Sequence, residues 1–225
     1  MTTKAELSPS KAYLVPVIIM ILLGLVLFLP ARSLRFWPAW IWWSIISVMT
    51  LYITHYFLIK DPGLLSRRMK VKENEPQPGI IRLLSFLSLL AYIIPGFDYR
   101  YQWSSVPFWL VITANSLVLL GYVLIFSAFK ANSYASTVIQ VENDQQVIKT
   151  GPYAMVRHPM YTGLLIMMLF TPLALGSYWG LLFSCLFIPT VLFRIKKEEE
   201  VLLRELSGYK DYYSRTRYRL IPLVW

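Results

Sequence analysis

The chain has 225 residues, of which 56% are hydrophobic and only 15% are charged, and its formal net charge is +10 at pH 7. Together with a mean hydropathy of +0.52, this composition excludes an ordinary soluble domain and indicates an integral membrane protein. The basic residues lie in loops between apolar runs, where the positive-inside rule explains them, so we exclude a nucleic-acid partner.

The apolar residues form continuous rather than alternating runs, which predicts an all-α integral membrane protein with about six transmembrane helices. No small-residue cleavage site follows the first run, so we expect a retained helix there. The last two runs are separated by a short Gly-Ser turn, which predicts a tight helical hairpin. The predicted segments are Ala12–Leu29, Pro38–Ile59, Ile80–Gly96, Val106–Phe129, Met160–Leu175 and Tyr178–Phe193.

The distribution of basic residues predicts the orientation of these segments. If both termini are cytoplasmic, 19 of the 22 basic residues fall on the inner side, and only Arg32, Arg35 and Arg100 fall outside. An excess of Lys and Arg in cytoplasmic loops is the main determinant of orientation. The sequence therefore predicts a multi-pass protein with both termini in the cytoplasm.

The cysteine and histidine content of the chain argues against disulfides and metal sites. Cys185 is the only cysteine, so neither an intrachain disulfide nor a thiolate metal cluster can form. The two histidines, His55 and His158, are far apart in the sequence, which argues against a protein metal site.

A polar loop meets the fifth segment at Arg157-His158-Pro159. Ionisable residues at a membrane edge are costly and are therefore candidates for function, although an interfacial belt of Arg and Tyr is the alternative explanation. The hairpin would bring this segment close to Arg194 and Glu198, which lie four residues apart and so share one helix face. A simple surface ion pair between these two residues is the corresponding structural alternative.

The segment Gly151-Pro152-Tyr153, then Arg157-His158-Pro159-Met160-Tyr161, an apolar run and finally Glu198-Glu199 resembles the isoprenylcysteine carboxyl methyltransferase family. The resemblance covers roughly residues 132–225. It implies a membrane methyltransferase that uses S-adenosylmethionine and releases S-adenosylhomocysteine. The chain would then be one membrane domain, in which residues 1–129 face lipid and substrate and residues 130–225 bind the cofactor. The short front end resembles prokaryotic members, for which the cell membrane is the expected location.

The resemblance also implies roles for individual residues. Arg194 would bind the substrate carboxylate, with Glu198 and Glu199 completing the catalytic group. This placement needs one gap, because an ungapped alignment puts Ile195 and Glu199 in the roles of Arg194 and Glu198. The implied cofactor contacts are Gln140, Gln145, Gln146, Val147, Ile148, Tyr153, His158, Pro159, Met160, Tyr161 and Glu198.

The expected chemistry is methylation of the carboxylate of an isoprenylcysteine-like or other lipophilic acceptor. A carboxylate needs alignment and desolvation but no general base, and an arginine can hold it bidentately. A phospholipid N-methyltransferase remains an alternative in which Glu199 would act as a base. A sterol-type reductase that uses NADPH and a transporter are further alternatives, although no interrupted repeat favours the latter. The expected partners are membrane lipids and a lipophilic substrate, without a metal.

Overall fold

The computed structural model describes residues 8–69, 78–135, 141 and 145–225. These residues form eight α-helices and one 3₁₀ turn, and they contain no strand. The helices are α1 (Pro9–Ala31), α2 (Trp37–Lys60), α3 (Pro62–Met69), α4 (Pro78–Tyr101), α5 (Phe108–Ala131), α6 (Pro159–Ala174), α7 (Gly180–Glu205) and α8 (Tyr209–Arg215). The 3₁₀ turn spans Gly151–Ala154 and precedes α6. The prediction of an all-helical fold is confirmed for the described part of the chain.

Proline marks where several helices begin. Its fixed φ suits the first helical turn, where its missing amide hydrogen costs nothing. Pro9, Pro38, Pro62, Pro78 and Pro159 stand at the first or second positions of α1, α2, α3, α4 and α6. The predicted apolar segments therefore have helix boundaries that local chemistry explains.

Four helices are long and apolar enough to cross a membrane, namely α1, α2, α4 and α5. The fifth predicted segment forms the shorter apolar helix α6, because Pro159 starts it immediately after the polar loop. The sixth segment forms the first half of α7, whose second half is charged and continues to Glu205. Six spans therefore remain a prediction, whereas the tight hairpin between α6 and α7 is present across residues 175–179.

The contact between α5 and α6 is the most extensive helix contact in the described structure, and two glycines let the helices approach closely. A Cβ atom on Gly163 would lie 2.6 Å from the Gly121 carbonyl oxygen and 2.8 Å from Ile125 Cγ1. Small residues at crossings let backbones approach in membrane proteins, where dispersion contacts replace the hydrophobic effect. The crossing fixes α6, and with it the Arg157–His158 segment, against the end of α5.

We expect Gly163→Ala to lower the melting temperature of the purified protein in detergent. The added methyl group forces two backbones apart, and such overpacking costs about 1–3 kcal/mol. Gly79→Ala on α4 is the matched control, because nothing lies within 4 Å of its added Cβ. Equal melting temperatures for the two variants would show that the crossing is not tight.

Buried polar contacts join the same helices deeper in the bundle. Trp42 Nε1 donates to Thr171 Oγ1 at 3.0 Å, which ties α2 to α6. Asn115 Nδ2 donates to the Ala174 carbonyl at 3.0 Å, which ties α5 to the end of α6. Hydrogen bonds between helices in an apolar environment restrict sliding. These bonds hold the end of α6 next to the turn at residues 175–179. The start of α6, at the other end of the helix, can therefore keep a fixed geometry.

Candidate functional site

A cavity opens where α6 begins, bordered by the end of α5, the second half of α7, α8 and the loop segment 145–148. Its volume is about 100 Å³, and it opens to solvent. Its lining combines apolar side chains with a small number of charged and polar ones, as sites for small molecules and cofactors do. The cavity is therefore the candidate binding site of the described structure.

Backbone hydrogen bonds hold the Arg157–His158 segment at the cavity. The Arg157 amide donates to the Tyr218 carbonyl, and the His158 amide donates to the Arg219 carbonyl, both at 2.9 Å. Thr162 Oγ1 adds a bond to the Leu220 carbonyl at 2.8 Å. The segment that follows α8 thus runs beside the start of α6 and orients the side chains of Arg157 and His158.

Glu199 lies at the centre of a buried ion cluster. Arg157 Nε donates to Glu199 Oε1 at 2.7 Å, and Arg219 Nε donates to Oε2 at 2.8 Å. His158 Nε2 lies 3.2 Å from Oε1. The Arg157 guanidinium also donates to the carbonyls of Thr216 and Arg217. The cluster satisfies both carboxylate oxygens, as a buried charge requires.

The environment of Glu199 favours its charged form. Burial raises the pKa of this carboxyl, but hydrogen bonds from His158, Arg157 and Arg219 outweigh burial and lower the pKa to about 2. The pKa of Arg219 is raised, because its bond to Glu199 outweighs the loss of solvation. Glu199 is therefore an anion at neutral pH and is a poor general base.

Glu198, the next residue along α7, has a different environment. Consecutive residues on a helix point about 100° apart, so the two carboxylates face different sides. The Tyr161 hydroxyl donates to Glu198 Oε2 at 2.7 Å, and Arg194 Nε donates to the same hydroxyl at 3.1 Å. Arg194 and Glu198 both line the cavity, and Arg194 is nearly fully buried. Arg194, the Tyr161 hydroxyl and Glu198 are thus joined by consecutive hydrogen bonds at the cavity wall.

Three tyrosines, Tyr153, Tyr209 and Tyr212, also line the cavity. Burial raises the pKa of Tyr153 to about 12, with Glu198 adding to the shift and the hydrogen bond from Asn132 opposing it. Tyr212 donates to the Tyr153 carbonyl at 2.7 Å, which joins α8 to the 3₁₀ turn. The buried hydroxyl of Tyr209 has no hydrogen-bond partner within the described residues. An orphaned donor at a cavity wall is suited to a polar ligand.

The structure brings most of the predicted site residues to this cavity. Pro159 is buried at the start of α6 and is not among the lining residues. Glu199 lies behind the wall in the ion cluster, and Ile195 is a fully buried apolar residue. Gln140 lies outside the described residues. The predicted residues that line the cavity are Gln145, Gln146, Val147, Ile148, Tyr153, His158, Met160, Tyr161, Arg194 and Glu198.

Several lining residues were not predicted from the sequence. Leu202 and Leu206 continue the face of α7 that carries Arg194 and Glu198, and their spacing of four residues was the available signal. The tyrosines of α8 had no role assigned from the sequence. Arg157, a candidate from the sequence without an assigned cofactor contact, also lines the cavity. The unpredicted lining residues are Asn132, Tyr134, Ala135, Leu202, Leu206, Tyr209 and Tyr212.

Comparison with known proteins adds two findings. Residues 109–210 match the family described as phospholipid methyltransferase. The fold is similar to that of the eukaryotic intramembrane Ras methyltransferase, isoprenylcysteine carboxyl methyltransferase, solved without a monobody. The two share 22% sequence identity with a TM-score of 0.59, over 90% of this chain and 74% of that chain. No curated protein sequence matches the chain.

Proposed function

We propose that this chain, a membrane methyltransferase similar to the phospholipid and isoprenylcysteine carboxyl methyltransferases, methylates the carboxylate of a lipophilic acceptor. The observation that carries the proposal is the joint placement of Arg194, Tyr161 and Glu198 at one cavity wall. An arginine can hold an anionic acceptor and a carboxylate can balance a cationic cofactor. The proposed substrate is isoprenylcysteine-like.

The residues present fit S-adenosylmethionine as the cofactor. The Glu198 carboxylate suits a cationic ligand, and the orphaned Tyr209 hydroxyl suits a polar one. Tyr153 and Tyr212 offer aromatic surface, and the segment 145–148 adds amide side chains and backbone groups. When bound, S-adenosylmethionine supplies a methyl group on a positively charged sulfur, and that methyl group is electrophilic without further activation.

The proposed mechanism uses the chain mainly for binding and alignment. Arg194 would hold the acceptor carboxylate, and the hydroxyl of Tyr161 fixes the Arg194 side chain in place. Binding against the buried Arg194 and Tyr161 side chains would remove part of the hydration shell that weakens a carboxylate as a nucleophile. Alignment of two bound reactants can account for a large part of a rate enhancement. No proton has to move in this reaction.

A phospholipid N-methyltransferase is the second candidate, and the family match over residues 109–210 favours it. An amine acceptor has to lose a proton, which calls for a general base. Glu199 is held by three cationic or histidine partners with a pKa of about 2, so it suits that task poorly. We therefore propose that Glu199 positions Arg157 and His158 rather than reacting. Methylation assays with N-acetyl-S-farnesylcysteine and with phosphatidylethanolamine separate the two candidates.

We expect Glu198→Gln to weaken the binding of S-adenosylhomocysteine by about tenfold or more, measured by calorimetry. A hydrogen bond to a charged group contributes about 1.5–3 kcal/mol, and the substitution removes the charge while keeping the shape. Glu200→Gln on the same helix is the control, because Glu200 is exposed and pairs with Lys197. Unchanged affinity in the Glu198 variant would remove Glu198 from the cofactor site.

We also propose six membrane spans, both termini in the cytoplasm and residence in the cell membrane, with residues 1–129 as the lipid-facing part and 130–225 as the cofactor part. The basic-residue asymmetry supports this arrangement. In a Cys185→Ser background, a membrane-impermeant maleimide should label Leu34→Cys in intact cells and should not label Ser207→Cys. Both positions are exposed in the described structure. Labelling of Ser207→Cys from outside would contradict the topology.

A further inference from the structure

The chain segment that follows α8 contains a run of exposed apolar residues, 221–224, which we call the apolar turn. The exposed fractions are 52% for Ile221, 84% for Leu223 and 74% for Val224. The three successive amides from Arg219 to Ile221 donate to the Trp225 carbonyl at 2.9, 3.0 and 3.2 Å, which closes the turn. A contiguous exposed apolar patch marks a surface that contacts something else.

The backbone of the apolar turn is one that apolar residues rarely adopt. Leu223 has a φ of 68°, in the left-handed region that favours glycine and asparagine. Because its side chain is largely exposed, packing within the described chain gains little from it. A large apolar side chain at this position is therefore suited to a contact outside the chain.

The residues on either side of the apolar turn place it at the level of the membrane. Leu220 is buried in a cluster with Leu87 of α4 and Val191 of α7, and Trp225 packs against the same cluster. Leu87 lies about 12 Å along the helix axis from Gly79, where the candidate span in α4 begins. The interfacial layer on each side of a bilayer is only about 5–8 Å thick. The apolar turn therefore lies beside the spanning helices and not beyond their ends.

The charges next to the apolar turn complement an anionic lipid surface. Arg215 and Arg217 precede the turn and are exposed, whereas Arg219 is bonded to Glu199. Asp211 is the only acidic residue within positions 206–225. Segments that lie in a membrane interface bury apolar side chains at the acyl boundary and direct basic side chains to anionic headgroups. A bilayer that contains anionic lipid fits this surface.

We propose that the apolar turn inserts into the membrane leaflet on the cavity side of the protein, and that Arg215 and Arg217 bind anionic lipid headgroups there. The inference rests on the proposed membrane spans and does not depend on which acceptor is methylated. The same chain segment accepts the backbone hydrogen bonds that hold the Arg157–His158 segment. Insertion of the turn would therefore fix one wall of the cavity relative to the bilayer.

The test uses the full chain with Cys185→Ser in nanodiscs of phosphatidylcholine and phosphatidylglycerol. A bimane fluorophore is attached at Leu223→Cys or at Val224→Cys. The quenchers are iodide in water and either lipid with a nitroxide on its acyl chain. Nitroxide lipid should quench both positions strongly, and iodide should quench them weakly. Nitroxide phosphatidylglycerol should be preferred about fivefold over nitroxide phosphatidylcholine, the scale of one basic residue at an anionic surface.

Two leucines of α7 are the matched controls for the label. Leu186 is 51% exposed within the sixth predicted segment, so a label at Leu186→Cys should be quenched by lipid. Leu203 is 42% exposed and lies about 15 Å along the helix beyond Phe193, so a label at Leu203→Cys should be quenched by iodide. Failure of lipid to quench at Leu186→Cys would contradict the proposed spans, which separates that failure from failure of the inference.

The basic residues are tested in the chain labelled at Leu223→Cys. Arg215→Gln combined with Arg217→Gln should reduce the preference for phosphatidylglycerol to about twofold or less. Arg204→Gln should keep it, because Arg204 is exposed on α7 and pairs with Glu205. Iodide quenching at the apolar turn as strong as at Leu203→Cys would overturn the inference. Protection from both quenchers, as under a second protein chain, or a preference unchanged by the double substitution would overturn it as well.

Discussion

Replacing Arg194 by lysine is expected to abolish most turnover while leaving the affinity for S-adenosylhomocysteine nearly unchanged. Arg194 is 6% exposed, lines the cavity and donates from its Nε to the Tyr161 hydroxyl. A lysine keeps the charge but cannot offer two parallel donors. The loss should be about 2–4 kcal/mol in transition-state stabilisation, the cost of removing one preorganised donor. This corresponds to a fall in kcat/KM of about 30- to 800-fold.

The control for this experiment is Arg204→Lys on the same helix. Arg204 is exposed at the end of α7 and pairs with Glu205, so its exchange should change neither turnover nor cofactor affinity. The measurement compares kcat/KM for a carboxylate acceptor with calorimetric affinity for S-adenosylhomocysteine in the same preparations. Turnover of Arg194→Lys within about twofold of the parent would leave Arg194 as a structural partner of Tyr161.

Replacing Glu199 by glutamine is expected to cause the largest loss of stability. The substitution leaves Arg157, which is 5% exposed, with an uncompensated positive charge inside the protein. Breaking a buried ion pair by removing one partner costs about 3–5 kcal/mol. Thermal unfolding in detergent should show a much lower melting temperature than for the parent. Glu200→Gln should unfold like the parent, because that side chain is 60% exposed.

The pH dependence of this effect has a defined sign. The pKa of Glu199 is lowered from an ordinary value of 4.5 to about 2, so the unfolded chain takes up the proton first on acidification. The contribution of Glu199 to stability is full above pH 4.5, decreases as the pH falls further and is lost below pH 2. The difference in stability between the parent and Glu199→Gln should therefore be constant near neutrality and shrink toward pH 3. A difference that grows on acidification would contradict the assignment.

Much of the fold follows from patterns that the sequence displays directly. Continuous apolar runs predict helices, and each of the six predicted segments overlaps one of the helices α1, α2, α4, α5, α6 and α7, although three segments extend one or two residues beyond the helix end. The predicted boundaries fall short at α4 and α7, because helices continue through polar residues when tertiary contacts support them. A hydropathy pattern does not predict that α4 continues through Tyr99 and Arg100 or that α7 continues through its charged second half. The short α3 was not predicted, since its eight residues are neither long nor strongly apolar.

The part of the candidate site that a sequence motif marks was predictable from the sequence. The part that only tertiary packing brings together was not. The Arg157–Tyr161 motif and Glu198 identified one wall of the cavity. The sequence alone left Arg194 and Ile195 as alternatives, because the two residues differ by one step and both follow the apolar run. The geometry supports Arg194, since Ile195 is fully buried among apolar residues.

The adjacent carboxylates of α7 give genetic experiments a useful distinction. Glu199 holds the segment after α8 and the start of α6 together, whereas Glu198 accepts a hydrogen bond from the Tyr161 hydroxyl at the cavity wall. A cell that carries a Glu199 variant would lose the protein itself, because marginally stable membrane proteins are degraded. A cell that carries Glu198→Gln would keep a folded, correctly inserted but inactive protein. Substitutions at these two neighbouring positions can therefore distinguish phenotypes caused by lost catalysis from phenotypes caused by loss of the protein from the membrane.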